Sequence, residues 1–217
     1  MKLENKAIVV TGASSGMGKA IVELFVKEGA SVVAVARRKE RLESLAESLK
    51  DEAGKIVIYA GDVSKKEICE GMIDECVSQF GKLDVLVNNA GIMDNMATVA
   101  NFPDEKYEAV MAVNVYGPLA AMRKAVNVFL EQENGGNIIT VTSMGASHQA
   151  AGVIYGASKA AIAAAVRHTA FAYRAEKIRC NAIAPGGINT EIGTAMGMPD
   201  MDGFGRIQGL QALMPST

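Results

Sequence analysis

The feature that most constrains the fold is a regular alternation of short apolar runs with longer stretches of helical periodicity. The runs are rich in β-branched residues and have the length of buried strands, whereas the stretches between them carry apolar residues at helical spacing. Strands are predicted at residues 6–11, 31–35, 56–60, 83–87, 137–141 and 178–183. Strands that alternate with helices predict the α/β class, as a doubly wound parallel sheet in a single domain.

The predicted helices fill the intervals between the strands. Ser64 and Glu67 have the spacing of a capping box at the start of the third helix, and Gly81 is placed to end that helix near residue 80. The other helices are predicted at residues 19–27, 37–51, 103–130 and from before 155 to about 176. Beyond Pro185 the periodicity is lost, so we expect residues 186–217 to form a mobile substrate loop within one domain of residues 1–217.

A glycine-rich segment, residues 11–18 (Thr-Gly-Ala-Ser-Ser-Gly-Met-Gly), joins the first predicted strand to the first helix. Its glycines allow a tight turn and let backbone N–H groups approach a pyrophosphate. In a doubly wound sheet this turn lies at the carboxyl ends of the strands, where ligands bind. The spacing is G-x-x-x-G-x-G, not G-x-G-x-x-G, and a glycine-rich turn without a ligand is the alternative interpretation.

The residues after the second predicted strand bear on the choice of cofactor. A site for NAD places an acidic residue there to bind the ribose 2′-hydroxyl, and that carboxylate would repel a 2′-phosphate. This chain has Ala36-Arg37-Arg38 instead. We therefore predict NADP(H), with Arg37 binding the phosphate and Ser14 or Arg38 assisting. The alternative is that both arginines are solvated residues at the start of a helix.

Tyr155 and Lys159 stand one helical turn apart in an alanine-rich stretch, so their side chains share a face. An ammonium near a phenol favours the ionised phenol, and a tyrosine with a lowered pKa can exchange a proton with an alcohol or a carbonyl oxygen. This pair predicts acid/base chemistry. From the pair alone, a surface helix with a packed tyrosine and a solvated lysine is the alternative.

Taken together, the motifs resemble the short-chain dehydrogenase/reductase family, and in particular its 3-oxoacyl-acyl-carrier-protein reductases, over residues 6–190. They occur in a consistent order: the glycine-rich turn, Asn88-Asn89-Ala90-Gly91, Asn114, Ser143, Tyr155-x-x-x-Lys159 and Pro185-Gly186. The resemblance implies a Rossmann-like fold, NADP(H)-dependent interconversion of a secondary alcohol and a ketone, and a homotetramer. It also implies a seventh, C-terminal strand, which this sequence of 217 residues is expected to lack.

The resemblance assigns roles to four residues that together would form the catalytic site. Tyr155 would be the acid/base, and Lys159 would bind the nicotinamide ribose and lower the pKa of the phenol. Ser143 would hydrogen-bond the substrate oxygen, and Asn114 would hold a water that links the lysine to solvent. The alternatives are that Ser143 caps a turn at a strand end and that Asn114 bonds its own backbone.

The remaining cofactor contacts also follow from the resemblance. Asp62 and Val63 would contact adenine, although Asp62 could instead form a turn, and Ile188 and Thr190 would lie near the nicotinamide amide. Asn88 is expected to brace the sheet and not to touch the ligand. The predicted cofactor-binding set is Gly12, Ser14, Ser15, Gly16, Met17, Gly18, Arg37, Arg38, Asp62, Val63, Asn89, Ala90, Gly91, Tyr155, Lys159, Pro185, Gly186, Ile188 and Thr190.

The substrate is less constrained than the reaction. The predicted pocket residues are flexible thioethers and aliphatic side chains with one histidine, a mixture that suits an apolar ligand: Met93, Met144, His148, Val153, Ile154, Met196 and Met198. The resemblance favours a 3-oxoacyl thioester, with a hydroxysteroid or a sugar or polyol as alternatives. A nucleotide-binding regulatory protein without turnover is the alternative of a different class.

Composition excludes several other functions. A net charge of -2 without a block of Lys or Arg gives no electrostatic reason to expect nucleic acid or an anionic membrane as a partner. No apolar run approaches 18 residues and the N-terminus has no signal-peptide core, so a cytoplasmic location is predicted. Three cysteines without metal-ligand spacing and only two histidines predict no metal site.

Overall fold

The computed structural model describes residues 1–149, 151–193 and 196–211. Among these residues, six strands form one parallel sheet in the order β3-β2-β1-β4-β5-β6. The strands are β1 Ala7–Thr11, β2 Ser31–Ala36, β3 Lys55–Ala60, β4 Val85–Asn88, β5 Gly136–Val141 and β6 Ile178–Ile183. Parallel pairing on both sides of β1 confirms the predicted doubly wound, Rossmann-like sheet.

Helices connect these strands. They are α1 Gly16–Lys27, α2 Lys39–Ser48, α3 Lys66–Phe80, α4 Asp104–Met111, α5 Gly117–Gln132, α6 Val153–Ala172 and α7 Met201–Gln211. A π-helical segment, Ala112–Tyr116, lies between α4 and α5, and a 3-10 turn, Met144–Ala146, follows β5. Within the described residues, no helix has the length and apolar character needed to cross a membrane.

Both faces of the sheet are buried because successive strand residues point to opposite sides. Val9 and Val33 belong to the core that includes residues of α3, α5 and α6. Val10 and Val32, their immediate neighbours in the chain, belong to a second core with residues of α1 and α2. The central strands β1, β2 and β4 therefore read as continuous apolar runs, and their polar residues are confined to the strand ends.

The predicted capping box at the start of the third helix is wrong. The helix begins at Lys66, with Lys65 as an N-cap that makes no side-chain hydrogen bond. The backbone N–H of Ser64 donates to Asp62 Oδ1 at 3.0 Å, so Asp62 closes a turn before the helix starts. The predicted end is confirmed, because Gly81 caps α3 in the left-handed conformation with a φ of 77°.

The single long helix predicted over residues 103–130 is interrupted. Its first part, α4, passes into the π-helical segment before α5 continues. Pro118 lies in the first turn of α5 and has no N–H to donate to the carbonyl four residues earlier, which is that of Asn114. A π-helical register accommodates this missing bond, and such segments are frequent at functional sites.

The prediction of a loop over residues 186–217 is wrong in part. Met201–Gln211 form α7, whose start is fixed by Asp200: the N–H of Gly203 donates to Asp200 Oδ1 at 2.7 Å. Alternating glycine and apolar residues hide the helical periodicity of this stretch, so the contact with Asp200 has to be seen to recognise the helix. Residues 194–195 and 212–217 lie outside the described residues.

Candidate active site

A continuous cleft opens at the carboxyl ends of the strands, where the doubly wound sheet predicts a binding site. It consists of a first cavity of about 250 Å³ beside the glycine-rich turn and a second cavity of about 450 Å³ beside Tyr155. The two cavities share the lining residues Met17, Asn89, Gly91, Met93, Thr190 and Ile192. A ligand in the first cavity would therefore reach the second without crossing protein.

Almost all of the predicted cofactor residues line this cleft. The first cavity is lined by Gly12, Ser14, Ser15, Gly16, Met17, Arg37, Arg38, Asp62, Val63, Asn89, Ala90, Gly91 and Thr190. The second is lined by Ser143, Tyr155, Lys159, Pro185, Gly186 and Ile188. Gly18 lines neither cavity. A Cβ at Gly18 would lie 2.1 Å from the carbonyl oxygen of Gly12, so this glycine allows the turn and the helix to pack closely. Asn88 is buried within β4, as expected.

The glycine-rich turn has the geometry of a phosphate cradle. Gly12 and Gly16 both have positive φ angles, 71° and 52°, which favour glycine. A Cβ at Gly12 would lie 2.9 Å from Ala90 Cα, so no larger residue fits there. Asn89 holds the end of β1 by donating from Nδ2 to the Thr11 carbonyl at 2.9 Å. These residues fit a dinucleotide whose pyrophosphate lies against the start of α1.

Arg38 is the better placed of the two arginines after β2. It donates to the side-chain oxygens of Ser14 and Ser15 at 3.1 and 2.9 Å, which fixes it beside the cradle. It also pairs with Glu191 at 2.9 Å, and Arg41 pairs with the same carboxylate at 2.7 Å. The two guanidinium groups, Arg41 first, lower the pKa of Glu191. Arg37 lines the same cavity but is exposed, so the predicted ranking of Arg37 over Arg38 is not supported by these contacts.

Tyr155 and Lys159 lie on the buried face of α6, with 8% and 4% of their surfaces exposed. The alternative of a solvated lysine is therefore wrong. Lys159 Nζ lies 5.7 Å from the centroid of the Tyr155 ring and donates to the carbonyl oxygen of Val141 at 2.9 Å. Burial lowers the pKa of Lys159 from 10.5 to about 8. The end of β5 holds the ammonium in the lining of the second cavity.

Ser143 stands at the start of the 3-10 turn after β5. Its backbone is held on both sides, because Thr142 N–H donates to Ile183 and Met144 N–H donates to Pro185. Its Oγ accepts from Gly145 N–H at 3.0 Å, so it caps the turn as the alternative interpretation foresaw. Ser143 Oγ also lies near the Tyr155 ring, since a Cβ on Gly145 would be 3.4 Å from that oxygen and 3.6 Å from Tyr155 Cε1. Capping and a catalytic contact are thus compatible at this position.

The pKa of Tyr155 is raised, which corrects the expectation that Lys159 lowers it. Burial is the largest cause, and the charge of Asp94 adds to it, whereas the hydrogen bond with Ser143 opposes it. Lys159 is not among the groups that shift this pKa. In the structure, the phenol is therefore held in its protonated form.

Asn114 lies in the π-helical segment and is buried. Its amide is clamped by backbone: Oδ1 accepts from Ile92 N–H and Nδ2 donates to the Ile92 carbonyl, both at 2.9 Å. Nδ2 also donates to Ser158 Oγ at 3.0 Å. The alternative that Asn114 bonds its own backbone is wrong. A Cβ on Gly91 would lie 3.3 Å from Lys159 Nζ and 3.4 Å from Asn114 Oδ1, so these two polar groups approach the same point.

The predicted substrate pocket is confirmed only in part. Met93 and Met144 line the second cavity. The other five residues do not line it: Ile154 is buried, Val153 and Met198 are exposed, His148 bonds Ser147 in an exposed turn, and the Met196 carbonyl accepts from Lys106. Side chains of successive helical residues point in different directions, so Val153 and Ile154 cannot share the face of α6 from which Tyr155 points into the cleft.

Sequence reasoning missed four residues that complete the site. Asp94 and Ser158 are fully buried polar side chains that contact Tyr155 and Asn114, and Arg41 and Glu191 form the ion pair beside the cradle. Each depends on a partner distant in the chain, so no local pattern marks it. The signal available was only that Asp94 follows the Asn-Asn-Ala-Gly motif closely.

Comparison with known proteins agrees with this geometry. Residues 6–199 match the model of the short chain dehydrogenase family. A 3beta-hydroxysteroid dehydrogenase 2 from Eggerthella lenta is 40% identical, covering 94% of this chain and 79% of that protein. A 3-oxoacyl-(acyl-carrier-protein) reductase from Thermotoga maritima is 36% identical, covering 88% and 77%. The crystal structure of a 3-ketoacyl-(acyl-carrier-protein) reductase from Brucella melitensis complexed with NADH has a TM-score of 0.82 at 32% identity, covering 89% of this chain and 80% of that one.

Proposed function

The chain belongs to the short-chain dehydrogenase/reductase family of oxidoreductases, and we propose that it interconverts a secondary alcohol and a ketone with NADP(H). One observation carries this proposal: Ser143, Tyr155 and Lys159 line one cavity, and that cavity shares lining residues with the cavity beside the glycine-rich turn. The alternative of a nucleotide-binding protein without turnover would leave this buried set of polar groups without a purpose.

The geometry supports a division of labour among the three side chains. A substrate oxygen placed beside Ser143 and Tyr155 would accept hydrogen bonds from both hydroxyl groups, which polarises a carbonyl. Tyr155 then transfers its proton to that oxygen. The nicotinamide, when bound in the cleft, would supply the two electrons as a hydride. Lys159, whose Nζ lies 5.7 Å from the centroid of the Tyr155 ring, would bind the cofactor ribose beside the phenol.

NADP(H) is proposed over NAD(H) on the charges around the first cavity. Ala36 ends β2, so the position where an NAD site carries an acid has no carboxylate, and Arg37 and Arg38 line the cavity. The carboxylate of Glu191, which also lines it, is paired with Arg38 and Arg41. Within the described residues, Arg37 forms no ion pair, so its planar guanidinium is available to a phosphate. The Brucella melitensis relative is complexed with NADH, which makes NAD(H) the alternative to test.

Arg37→Gln is expected to lower kcat/KM for NADPH by about 10- to 10²-fold and to leave kcat/KM for NADH nearly unchanged, because it removes a charged partner of the phosphate. Arg38→Gln should lower kcat/KM for both cofactors, because it also removes the hydrogen bonds to Ser14 and Ser15 in the cradle. Adding Ala36→Asp to Arg37→Gln should reverse the preference. The measurement is steady-state kinetics with both cofactors, with Arg174→Gln at the far end of α6 as the control. A wild-type preference for NADH would contradict the proposal.

A hydroxysteroid is the favoured substrate class, in place of the 3-oxoacyl thioester that the sequence motifs favoured. The Eggerthella lenta relative, at 40% identity, is a 3beta-hydroxysteroid dehydrogenase. Among the described residues that line the second cavity, Lys159 carries the only charged side chain, so the cavity offers an acyl carrier's phosphate no cation besides the proposed catalytic lysine. Methionine and aliphatic side chains there suit a rigid apolar ligand.

A panel of 3-oxo and 3-hydroxysteroids, 3-oxoacyl thioesters and polyols tests this assignment through the absorbance of NADPH. We expect kcat/KM for the best steroid to exceed that for the best thioester by at least about 10-fold, because an apolar cavity discriminates by buried apolar area. Cofactor oxidation without substrate is the control. Faster turnover of a thioester would reverse the ranking, and no turnover of any compound would favour the non-catalytic alternative.

The proposal includes a homotetramer in the cytoplasm. Its structural support is limited to apolar side chains left exposed on the outer faces of the long helices, among them Leu119 of α5 and Phe171 of α6, with 41% and 72% of their surfaces exposed. Burial of such side chains between subunits would remove apolar area from water. The cytoplasmic location rests on the sequence alone.

A further inference from the structure

The segment that follows β6 lies against the glycine-rich turn. Thr190 packs directly on this turn, because a Cβ on Gly16 would lie 3.0 Å from Thr190 Cγ2. The next residue, Glu191, lines the first cavity and extends its carboxylate to Arg38 and Arg41, at the start of α2. The fold therefore brings an acid into this cavity from the segment after β6, whereas an NAD site carries its acid after β2.

Both arginines hold the carboxylate of Glu191. Its Oε2 accepts from Arg38 Nη1 at 2.9 Å, and its Oε1 accepts from Arg41 Nη1 at 2.7 Å. The two guanidinium groups, Arg41 first, hold the pKa of Glu191 below its usual range, so the carboxylate is ionised at neutral pH. A negative charge therefore lies in the lining of the cavity that is proposed to receive a 2′-phosphate.

The guanidinium of Arg38 is already engaged on every side. Its Nε and Nη2 donate to Ser14 Oγ at 3.3 and 3.1 Å, and Nη2 also donates to Ser15 Oγ at 2.9 Å. Its remaining nitrogen, Nη1, donates to Glu191. The serines fix the guanidinium beside the cradle, so a phosphate that binds Arg38 there has to compete with Glu191 for Nη1.

The exposure of these ion pairs allows them to be exchanged. The side chains of Arg38, Arg41 and Glu191 are 42%, 46% and 49% exposed, and exposed ion pairs are weak. A phosphate monoester carries more negative charge than a carboxylate and offers more acceptor oxygens to a guanidinium. A 2′-phosphate can therefore displace the carboxylate, whereas an uncharged ribose 2′-hydroxyl cannot.

We propose that Glu191 is a specificity-determining residue whose carboxylate binds Arg38 and Arg41 until the 2′-phosphate of NADP(H) displaces it. This inference rests on the proposed function, because it concerns the cofactor that the cleft would bind. Breaking the two ion pairs lowers the net affinity for NADPH and leaves the affinity for NADH unchanged. The cavity thus distinguishes the cofactors both by the arginines that attract the phosphate and by the carboxylate that competes with it.

Glu191→Gln nearly keeps the size of the side chain and removes its charge. We expect this variant to bind NADPH about 3- to 30-fold more tightly than wild type, the range that the loss of two exposed ion pairs covers. Affinity for NADH should change by less than about 2-fold on the same grounds. Cofactor fluorescence measures both affinities without turnover. Calorimetry with 2′-AMP and adenosine isolates the phosphate, and the gain should appear for 2′-AMP only.

Glu70→Gln is the matched control, because it removes the same charge from an ion pair with Arg123 at 3.1 Å and lies outside the described lining of both cavities. A double-mutant cycle with Arg38→Gln assigns the effect to the ion pair. If Glu191 acts by occupying Arg38, the gain from Glu191→Gln should be at least about 2-fold smaller when residue 38 is already glutamine.

The inference would be overturned by unchanged affinity for NADPH and 2′-AMP in Glu191→Gln, by an equal gain in Glu70→Gln, or by a gain that is undiminished in the Arg38→Gln background. A loss of NADH affinity in Glu191→Gln would also overturn it, because the carboxylate would then bind the ribose hydroxyl. Tighter NADPH binding by Glu191→Gln when the wild type prefers NADH, or turns over no compound of the panel, would support the inference and contradict only the proposed function.

Discussion

Replacing Tyr155 with phenylalanine is expected to lower kcat by at least about 10²-fold, the range found when a general acid is removed, while NADPH still binds. The variant keeps the ring, which is 8% exposed and packed beside Lys159 and Gly145, and deletes only the hydroxyl. Because the amide of residue 155 still donates to Asp94, the start of α6 should be unchanged.

The measurement is kcat with the best substrate of the panel, together with NADPH affinity from cofactor fluorescence. Tyr173→Phe is the matched control, since Tyr173 caps the other end of the same helix and lies outside the cleft lining. We expect that control to turn over at nearly the wild-type rate. Turnover of Tyr155→Phe at a rate close to wild type would remove Tyr155 from the mechanism.

The strands and the site could be predicted together because they follow from one physical constraint. A parallel sheet buried on both faces leaves only strand ends for polar groups, so Asn89 after β4 and Ser143 after β5 had to lie at one edge. The glycines of the turn were equally informative, because Gly12 and Gly16 take up positive φ angles that favour glycine.

Features that depend on distant partners could not be predicted in this way. The contact of Asp94 with Tyr155 joins residues 61 positions apart, and the burial that raises the Tyr155 pKa also comes from packing between distant segments. The π-helical segment is another case. Pro118 in the sequence is equally compatible with the start of a separate helix. The hydrogen bonds that hold the Asn114 side chain to the Ile92 backbone in this segment are visible only in the structure. Helical spacing indicates which residues share a face but gives no information about what lies opposite.

The same limit applies to the arginines beside the cradle. The sequence does not distinguish Arg37 from Arg38, because both are arginines that follow β2 and the rule for cofactor choice considers only the charge at the end of that strand. Their side chains leave the backbone in different directions, so Arg38 reaches Ser14 and Ser15 while Arg37 remains exposed. The ion pair with Glu191 arises from the chain folding back after β6, which no local pattern encodes.

Lys159→Met is expected to lower kcat/KM by about 10²-fold or more, because it removes the buried cationic donor that is proposed to bind the cofactor ribose beside Tyr155. Methionine keeps most of the apolar stem of a side chain that is 4% exposed, so the fold should survive. Lys124→Met is the control, since Lys124 pairs with Asp74 on the surface, away from the cleft. Steady-state kinetics of both variants with NADPH gives the comparison, and wild-type kcat/KM in Lys159→Met would contradict the assigned role.

The same variant should show that the buried Lys159 ammonium lowers the free energy of unfolding. Lys159 has a pKa of about 8 in the folded protein against 10.5 when unfolded, so between these values the unfolded chain binds more protons and the free energy of unfolding rises with pH. Below about pH 8 the folded state carries the full cost of a buried, protonated amine, on the order of 3 kcal/mol. Lys159→Met removes this cost but also removes the hydrogen bond to the Val141 carbonyl, which contributes about 1 kcal/mol. We therefore expect Lys159→Met to be more stable than wild type at pH 7 by about 2 kcal/mol, and this advantage to fall as pH rises above 8 and to reverse near pH 10.5, where only the lost hydrogen bond remains. Denaturant unfolding of both proteins at several pH values measures it, and a difference that does not change between pH 8 and 10.5 would mean that the buried amine carries no such penalty.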